Sequence, residues 1–105
     1  MKPSLGLGLY GVSKSALIML TQSQASEWGK YGIRSNAICP GLIKTKFSKA
    51  LWSNEHIMKQ VESHLPLQRA ADPKEIAGLA VYLASQASSY TTGAVLNADG
   101  GHMLT

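Results

Sequence analysis

The stretch Ile33-Arg34-Ser35-Asn36-Ala37-Ile38-Cys39-Pro40-Gly41 decides how this 105-residue chain folds. It is a short run that follows Gly32 and stops at Pro40, a pattern that predicts one β-strand, Ile33 to Cys39. The Pro40-Gly41 pair predicts a turn at the carboxyl end of that strand. Before the strand, a proline-free segment from Tyr10 to Trp28 is followed by Gly29 and Gly32. This segment predicts one long helix with a glycine terminus.

The rest of the chain continues the alternation of helix and strand. Looser apolar spacing between Thr45 and Leu65 predicts short helices that form a lid. The stretch Asp72-Pro73-Lys74-Glu75 predicts a helix start, because aspartate caps, proline suits the first position and glutamate completes a capping box. The apolar stripe of this helix comprises Ile76, Leu79, Ala80 and Leu83, and a second strand runs from Gly93 to Asn97. The predicted class is α/β.

Two strands are too few for a complete parallel sheet, which needs several strands and helices on both faces. We therefore expect the chain to be a piece of a larger folding unit. Its composition, 45% hydrophobic and 15% charged, excludes disordered and fibrous classes. The net charge of +4 comes without a basic run or interleaved aromatic residues, so no nucleic-acid partner is expected.

Neither a membrane span nor a signal peptide is expected, because no apolar run is long enough for either. Cys39 is the single cysteine of the chain and forms no internal disulfide, which favours a reducing compartment. The expected location is cytoplasmic.

Tyr10 and Lys14 form a Tyr-x-x-x-Lys motif at the beginning of the long helix. Residues four apart on a helix lie on one face, so the ammonium group would stabilise the phenolate and lower the tyrosine pKa below its reference of about 10. A tyrosine in this state exchanges a proton with a carbonyl or a hydroxyl group. The motif alone also fits an ordinary exposed helical pair, so the surrounding sequence must decide.

Three further segments provide that context: Asn36 to Thr45 (NAICPGLIKT), Asp72 to Ala77 (DPKEIA) and Thr92 to Gly101 (TGAVLNADGG). In this order and spacing, with the tyrosine motif, they resemble the C-terminal half of the short-chain dehydrogenase/reductases. The resemblance covers essentially all 105 residues and implies the C-terminal portion of one Rossmann-type, doubly wound parallel sheet. The family's catalytic serine and glycine-rich first turn would lie upstream of Met1, so an incomplete fold is expected.

The resemblance also implies roles for individual residues. Tyr10 corresponds to the family's catalytic tyrosine, and Lys14 to the lysine that also holds the nicotinamide ribose. The turn that holds the nicotinamide of NAD or NADP corresponds to Pro40, Gly41, Ile43 and Thr45, with backbone groups offered by Ile43 and a hydroxyl by Thr45.

The implied reaction interconverts a small-molecule alcohol with a ketone or aldehyde, in a homo-oligomer (a dimer or tetramer). The chain alone is expected neither to bind the dinucleotide tightly nor to turn over. The alternative is a non-catalytic oligomerisation or interaction module derived from such an enzyme.

Two other features lead to weaker interpretations. The glycines of Gly6-Leu7-Gly8-Leu9-Tyr10-Gly11 match a dinucleotide fingerprint, but no strand precedes them and the acid about twenty residues on, Glu27, is mid-helix. We interpret them as a flexible lead-in to Tyr10. No metal is expected, because the metal-ligand spacing is absent from His56, His64 and His102.

Two groups of side chains near the predicted lid each have two interpretations. One group is a basic cluster that consists of Lys44, Lys46 and Lys49. This cluster is either an ordinary solvated surface or a surface that attracts the phosphates of the cofactor. The apolar residues either roof a substrate pocket or pack a core; they are Phe47, Leu51, Trp52, Ile57, Met58 and Val61.

Gln24 and Ser35 are polar where the family usually has apolar residues. Each would cost about 1–3 kcal/mol if it were buried without a partner. Together with the missing half, these residues support the hypothesis of a truncated or decaying gene copy.

Overall fold

The structure, a computed structural model, describes residues 8–45, 49 and 53–101, with the backbone alone for residues 8–11. The helices are α1 (Gly8–Trp28), α2 (Glu55–Ser63) and α3 (Pro73–Ala84), and the strands are β1 (Ala37–Pro40) and β2 (Val95–Ala98). Two short 3-10 helices, Gly29–Tyr31 and Gln86–Ser88, follow α1 and α3. The predicted order of elements and the α/β class are confirmed for these residues.

The two strands form a parallel sheet. Their register runs from Ala37 opposite Val95 to Pro40 opposite Ala98. The Gly41 N–H continues the pairing by donating to the Ala98 carbonyl at 3.0 Å. Because parallel strands end at the same edge of a sheet, the Pro40-Gly41 bend lies beside the residues that follow β2.

β1 begins later than predicted, because the residues before it bond to a loop instead of to a strand. The Asn36 side chain donates to the Thr91 carbonyl and accepts from the Ala94 N–H, each at 3.0 Å. The Ser35 N–H donates to Thr92 Oγ1 at 3.1 Å. Regular pairing therefore begins only after these contacts, which also delay the start of β2.

The first helix differs from its prediction at one end only. It begins at Gly8, so the backbone of residues 8–11 is helical and the interpretation of this stretch as a flexible lead-in is wrong. It ends at Trp28, as predicted, and a 3-10 turn leads to Gly32. The φ of +75° at Gly32 is left-handed, which explains why a glycine ends the turn.

The last turns of α1 are attached to the start of the sheet by a polar and an apolar contact. Ser35 Oγ donates to Gln24 Oε1 at 3.0 Å. Beside this bond Ala25 is buried, and a Cβ atom added to Gly93 would lie 3.4 Å from its Cβ. The two polar residues expected to weaken the core are each other's partners, so the penalty for an unpaired polar group does not apply.

Arg34 joins the end of α3 to the residues before β1, a role that the sequence did not indicate. Its guanidinium donates to Ser88 Oγ at 2.9 Å and to the Leu83 carbonyl at 3.1 Å. Ser88 is fully buried, and its hydroxyl also donates to the Leu83 carbonyl at 2.9 Å. The end of α3 is thereby tied to the residues that lead into β1.

Apolar burial is limited in the part of the chain that the structure describes. The buried apolar side chains there are Ala25, Met58, Leu65 and Ala70. Ala80 is exposed although it belongs to the predicted stripe of α3, and in α2 Met58 is buried whereas Ile57 is exposed. Among the described helices, none is long and apolar enough to cross a membrane.

The Gln24–Ser35 bond predicts non-additive substitutions. Ser35→Val leaves the Gln24 oxygen without this donor and should lower the free energy of unfolding by about 1 kcal/mol. The double variant Gln24→Leu/Ser35→Val should recover most of that loss, because both polar groups are gone. Urea unfolding followed by circular dichroism measures the four-member cycle.

Gln22→Leu is the matched control, since Gln22 is an exposed glutamine on the same helix. Combined with Ser35→Val it should give no recovery. Additive losses in the Gln24 cycle would contradict a shared bond.

Candidate active site

The centre of the candidate site is the bend that follows β1. A Cβ atom added to Gly41 would lie 2.7 Å from the Asp99 Cα and 2.9 Å from the Asp99 Cβ, closer than real contacts allow. Glycine is therefore needed at this position by the approach of the two strand ends. The resemblance assigns Gly41 to the turn that holds the nicotinamide; the structure adds a requirement of the fold itself.

The segment after the bend is held in an extended conformation by a parallel bridge between Ile43 and Ala71. The Ala71 N–H donates to the Leu42 carbonyl, and the Lys44 N–H donates to the Ala71 carbonyl, each at 2.9 Å. Because successive residues of an extended chain present their N–H and C=O groups to opposite edges, those of Ile43 lie on the edge away from Ala71. Thr45 follows at an exposed position.

The two predicted catalytic residues belong to α1. The helix includes the backbone of both Tyr10 and Lys14, so they are separated by one helical turn. Lys14 is half-buried. The Tyr10 side chain lies outside the described part, as do Lys46, Phe47, Leu51, Trp52 and His102.

An ion pair at the beginning of α3 adds two residues that sequence analysis did not connect. Arg69 Nη1 and Nη2 donate to the two oxygens of Glu75 at 2.7 and 2.8 Å. Glu75 Oε1 also accepts from the Asp72 N–H at 3.1 Å, as the capping box predicts. The hydrogen bonds from Arg69, and then that from Asp72, lower the pKa of Glu75 to about 2, so the carboxylate is ionised at neutral pH.

A cavity of about 170 Å³ lies at the same edge of the sheet. Its lining includes Leu42, Arg69, Glu75, Ile76 and Asp99. Among the described residues, the lining includes Leu42, between Gly41 and Ile43, but not Gly41 or Ile43 themselves. Among the described residues, no three His, Cys, Asp or Glu side chains are grouped as metal ligands.

Comparison with known proteins identifies the family. A family profile described as "Enoyl-(Acyl carrier protein) reductase" matches residues 3–103. "Dehydrogenase/reductase SDR family member 4" of Oryctolagus cuniculus is 43% identical over 99 residues, which cover 94% of this chain and 38% of that protein. The chain belongs to the short-chain dehydrogenase/reductase family. The resemblance carried by the motifs is thereby confirmed.

A further relative extends this result. D-arabinitol 2-dehydrogenase [ribulose-forming] of Scheffersomyces stipitis is 47% identical over 96 residues, covering 90% of this chain and 34% of that protein. The chain thus spans 34–38% of the length of these two relatives.

Solved structures agree on the fold. "4-hydroxyisoleucine dehydrogenase complexed with NADH" superposes with a TM-score of 0.88 at 36% identity, covering 91% of this chain and 40% of that chain. YwfH, an NADPH dependent reductase involved in bacilysin biosynthesis, gives a TM-score of 0.88 at 29% identity, covering 99% and 43%. The two-stranded parallel sheet therefore corresponds to part of a Rossmann-type fold, and the predicted fold class is confirmed.

Two glycine substitutions of opposite expected effect test the strand-end geometry. Gly41→Ala should destabilise the chain, because its methyl group meets the Asp99 backbone. Gly78→Ala is the matched control: Gly78 lies within α3 with open space around it, and alanine in a helix interior should stabilise by about 0.5–1 kcal/mol. Thermal unfolding of both variants gives the comparison, and a neutral Gly41→Ala would contradict the close approach.

Proposed function

We propose that this chain carries the proton-transfer and nicotinamide-holding residues of an NAD(P)-dependent oxidoreductase that interconverts an alcohol and a ketone or aldehyde. The observation that carries the proposal is the placement of Tyr10 and Lys14 one turn apart on α1, in a chain of this family. The printed names of its relatives support it, since they are dehydrogenases and reductases, two of them named with NADH or NADPH.

In the proposed reduction the Tyr10 hydroxyl donates its proton to the carbonyl oxygen, and in the oxidation the phenolate takes the proton back. The Lys14 ammonium group stabilises the phenolate and hydrogen-bonds the ribose. The cofactor, when bound, supplies or accepts the hydride.

Distances counted along the chain support a position of Lys14 near the bend. Only residues 29–36 connect α1 to β1, so we take β1 to run back along α1 from the Gln24–Ser35 bond. The ten residues from Gln24 back to Lys14 span about 15 Å of helix. The five residues from Ser35 forward to Pro40 span about 17 Å of extended chain. Lys14 and the Pro40-Gly41 bend therefore lie at similar heights.

The segment after the bend has groups that suit a nicotinamide carboxamide. The N–H and C=O groups of Ile43 lie on the edge opposite Ala71, and the exposed Thr45 carries a hydroxyl. Ligands of α/β proteins bind at the carboxyl ends of strands, which is where this segment begins. We therefore assign Pro40, Gly41, Ile43 and Thr45 to the cofactor.

A graft tests the proposal, because the chain matches only 34% of the arabinitol dehydrogenase. All 105 residues replace the matching segment of the Scheffersomyces stipitis enzyme, and D-arabinitol oxidation is followed by NADH or NADPH absorbance. We expect the graft to be active. Tyr10→Phe, which removes only the acidic hydroxyl, should lower its rate by about 10²- to 10⁴-fold. Tyr90→Phe, at a fully exposed tyrosine, is the matched control and should leave the rate unchanged.

A second graft that keeps the host's own residues in place of 46–65 separates a change in substrate preference from a failure of the chemistry. The proposal is wrong if Tyr10→Phe retains the parent rate in an active graft, or if both parent grafts bind no dinucleotide.

The alternative is an interaction module, and one observation favours it. Four large apolar side chains of α1 are more than half exposed: Val12, Leu17, Met19 and Leu20. An apolar surface of this kind supports association with a second copy or with a longer member of the family.

We expect the chain to elute as a defined dimer or tetramer in size-exclusion chromatography with light scattering, and Leu17→Glu to reduce the mass. Ser23→Glu, at an exposed position of the same helix, is the matched control and should leave the assembly intact. A monomer, or heterogeneous aggregate, would contradict the module.

A further inference from the structure

The chain between β1 and α3 is closed at its base by contacts between its two ends. The outgoing end is the segment of residues 42–44, and the returning end is Ala71, which bonds both Leu42 and Lys44 at 2.9 Å. We call these paired residues the lid base. Ile43, which the proposed function assigns to the cofactor, lies at its centre.

The returning chain reaches Ala71 through a stretch with little regular pairing. At the start of this stretch, the Leu67 N–H donates to the Gly100 carbonyl at 3.0 Å. Gln68 then adopts a φ of 57°, a left-handed conformation that a residue with a side chain rarely takes. Such a conformation persists only when its surroundings hold it.

Arg69 supplies the contact that spans this stretch. It follows Gln68 and lies two residues before Ala71, and it grips both oxygens of Glu75 on α3 at 2.7 and 2.8 Å. Glu75 is itself attached to the Asp72 N–H, immediately after Ala71, at 3.1 Å. The chain on both sides of Ala71 is thereby bound to one carboxylate.

The same contacts argue against an anion site at the neighbouring cavity. Both terminal nitrogens of Arg69 donate to Glu75, and the carboxylates of Glu75 and Asp99 also line the cavity. The positive charge of Arg69 is thus already neutralised in the folded chain.

We propose that Arg69 is a positioning residue for the cofactor segment: through Glu75 it fixes Ala71, and Ala71 fixes the backbone on both sides of Ile43. The consequence for the cofactor rests on the proposed function. The claim that Arg69 fixes the lid base does not rest on the proposed function, because every contact of the lid base belongs to this chain.

Amide hydrogen exchange of the full 105-residue chain, measured by NMR, tests the fixing of the lid base. Arg69→Met should speed exchange at the Lys44 and Ala71 amides about threefold to fivefold, which is what an exposed ion pair supplies at most. Arg69→Lys should restore part of the protection, because it keeps the charge but loses the two-pronged contact. Glu75→Gln, which keeps an oxygen for the Asp72 N–H, should speed exchange at the same two amides as much as Arg69→Met does.

Two comparisons make the result specific. The double variant Arg69→Met/Glu75→Gln should exchange no faster than the single variants, since each removes the same pair. Arg34→Met, at the other arginine of the chain, should loosen residues 88–91 and leave Lys44 and Ala71 protected.

Unchanged exchange at Lys44 and Ala71 would overturn the proposal, as would additive effects of the two single variants. A rise of equal size throughout α1 would also overturn it, because Arg69 would then stabilise the whole chain.

The graft carrying all 105 residues tests the consequence for the cofactor. Arg69→Met should raise the dinucleotide KM with little change in kcat, and Arg69→Lys should reverse part of the rise. A fall in kcat at constant KM would contradict positioning of the cofactor segment. Failure of both parent grafts to bind dinucleotide would end the proposed function, whereas the exchange result on the chain alone would still decide whether Arg69 fixes the lid base.

Discussion

Parallel pairing of β1 with β2 is the constraint on which the candidate site depends. Its register ends with Pro40 opposite Ala98, which brings Gly41 against the Asp99 backbone. Both strands therefore release their chains at one edge, where the first continues into the lid base. A slip of one residue would turn every side chain of a strand to the other face and place a different residue against Asp99. The absence of a side chain at Gly41 thus fixes the register as well as the turn.

Polar contacts hold the helices around this small sheet. The Gln24–Ser35 bond holds α1, Arg34 holds the end of α3, and the Arg69–Glu75 pair holds its beginning. Hydrogen bonds are directional, so each contact fixes an orientation that apolar burial alone leaves free. This matters here because few apolar side chains in the described part are fully buried.

Local signals in the sequence predicted what depends on local chemistry. The start of α3 is an example, since the bond from the Asp72 N–H to Glu75 spans only three residues. The predicted beginning of β1 was wrong because Asn36 forms hydrogen bonds with Thr91 and Ala94, more than fifty residues away. No local pattern reveals such partners.

Two side-chain pairs escaped prediction for related reasons. The partner of Ser35 lies eleven residues back on another element, so both polar residues looked unpaired. Arg69 reaches Glu75 from beside Gln68, whose left-handed conformation nothing in the sequence indicated. The placement of the Tyr10 ring stays a prediction, carried by its spacing from Lys14.

The Gln24–Ser35 bond also bears on the role proposed for Lys14. Lys14 lies about 15 Å along α1 from this bond, so a tilt of about 10° at the bond would move the lysine by about 3 Å. Catalytic groups lose much of their effect when displaced by about 1 Å. Ala25 and Gly93 give α1 a contact about which it can still turn, whereas the directional bond beside them restricts the tilt. The polar pair of Gln24 and Ser35 is thus suited to holding a long helix in line with the candidate site.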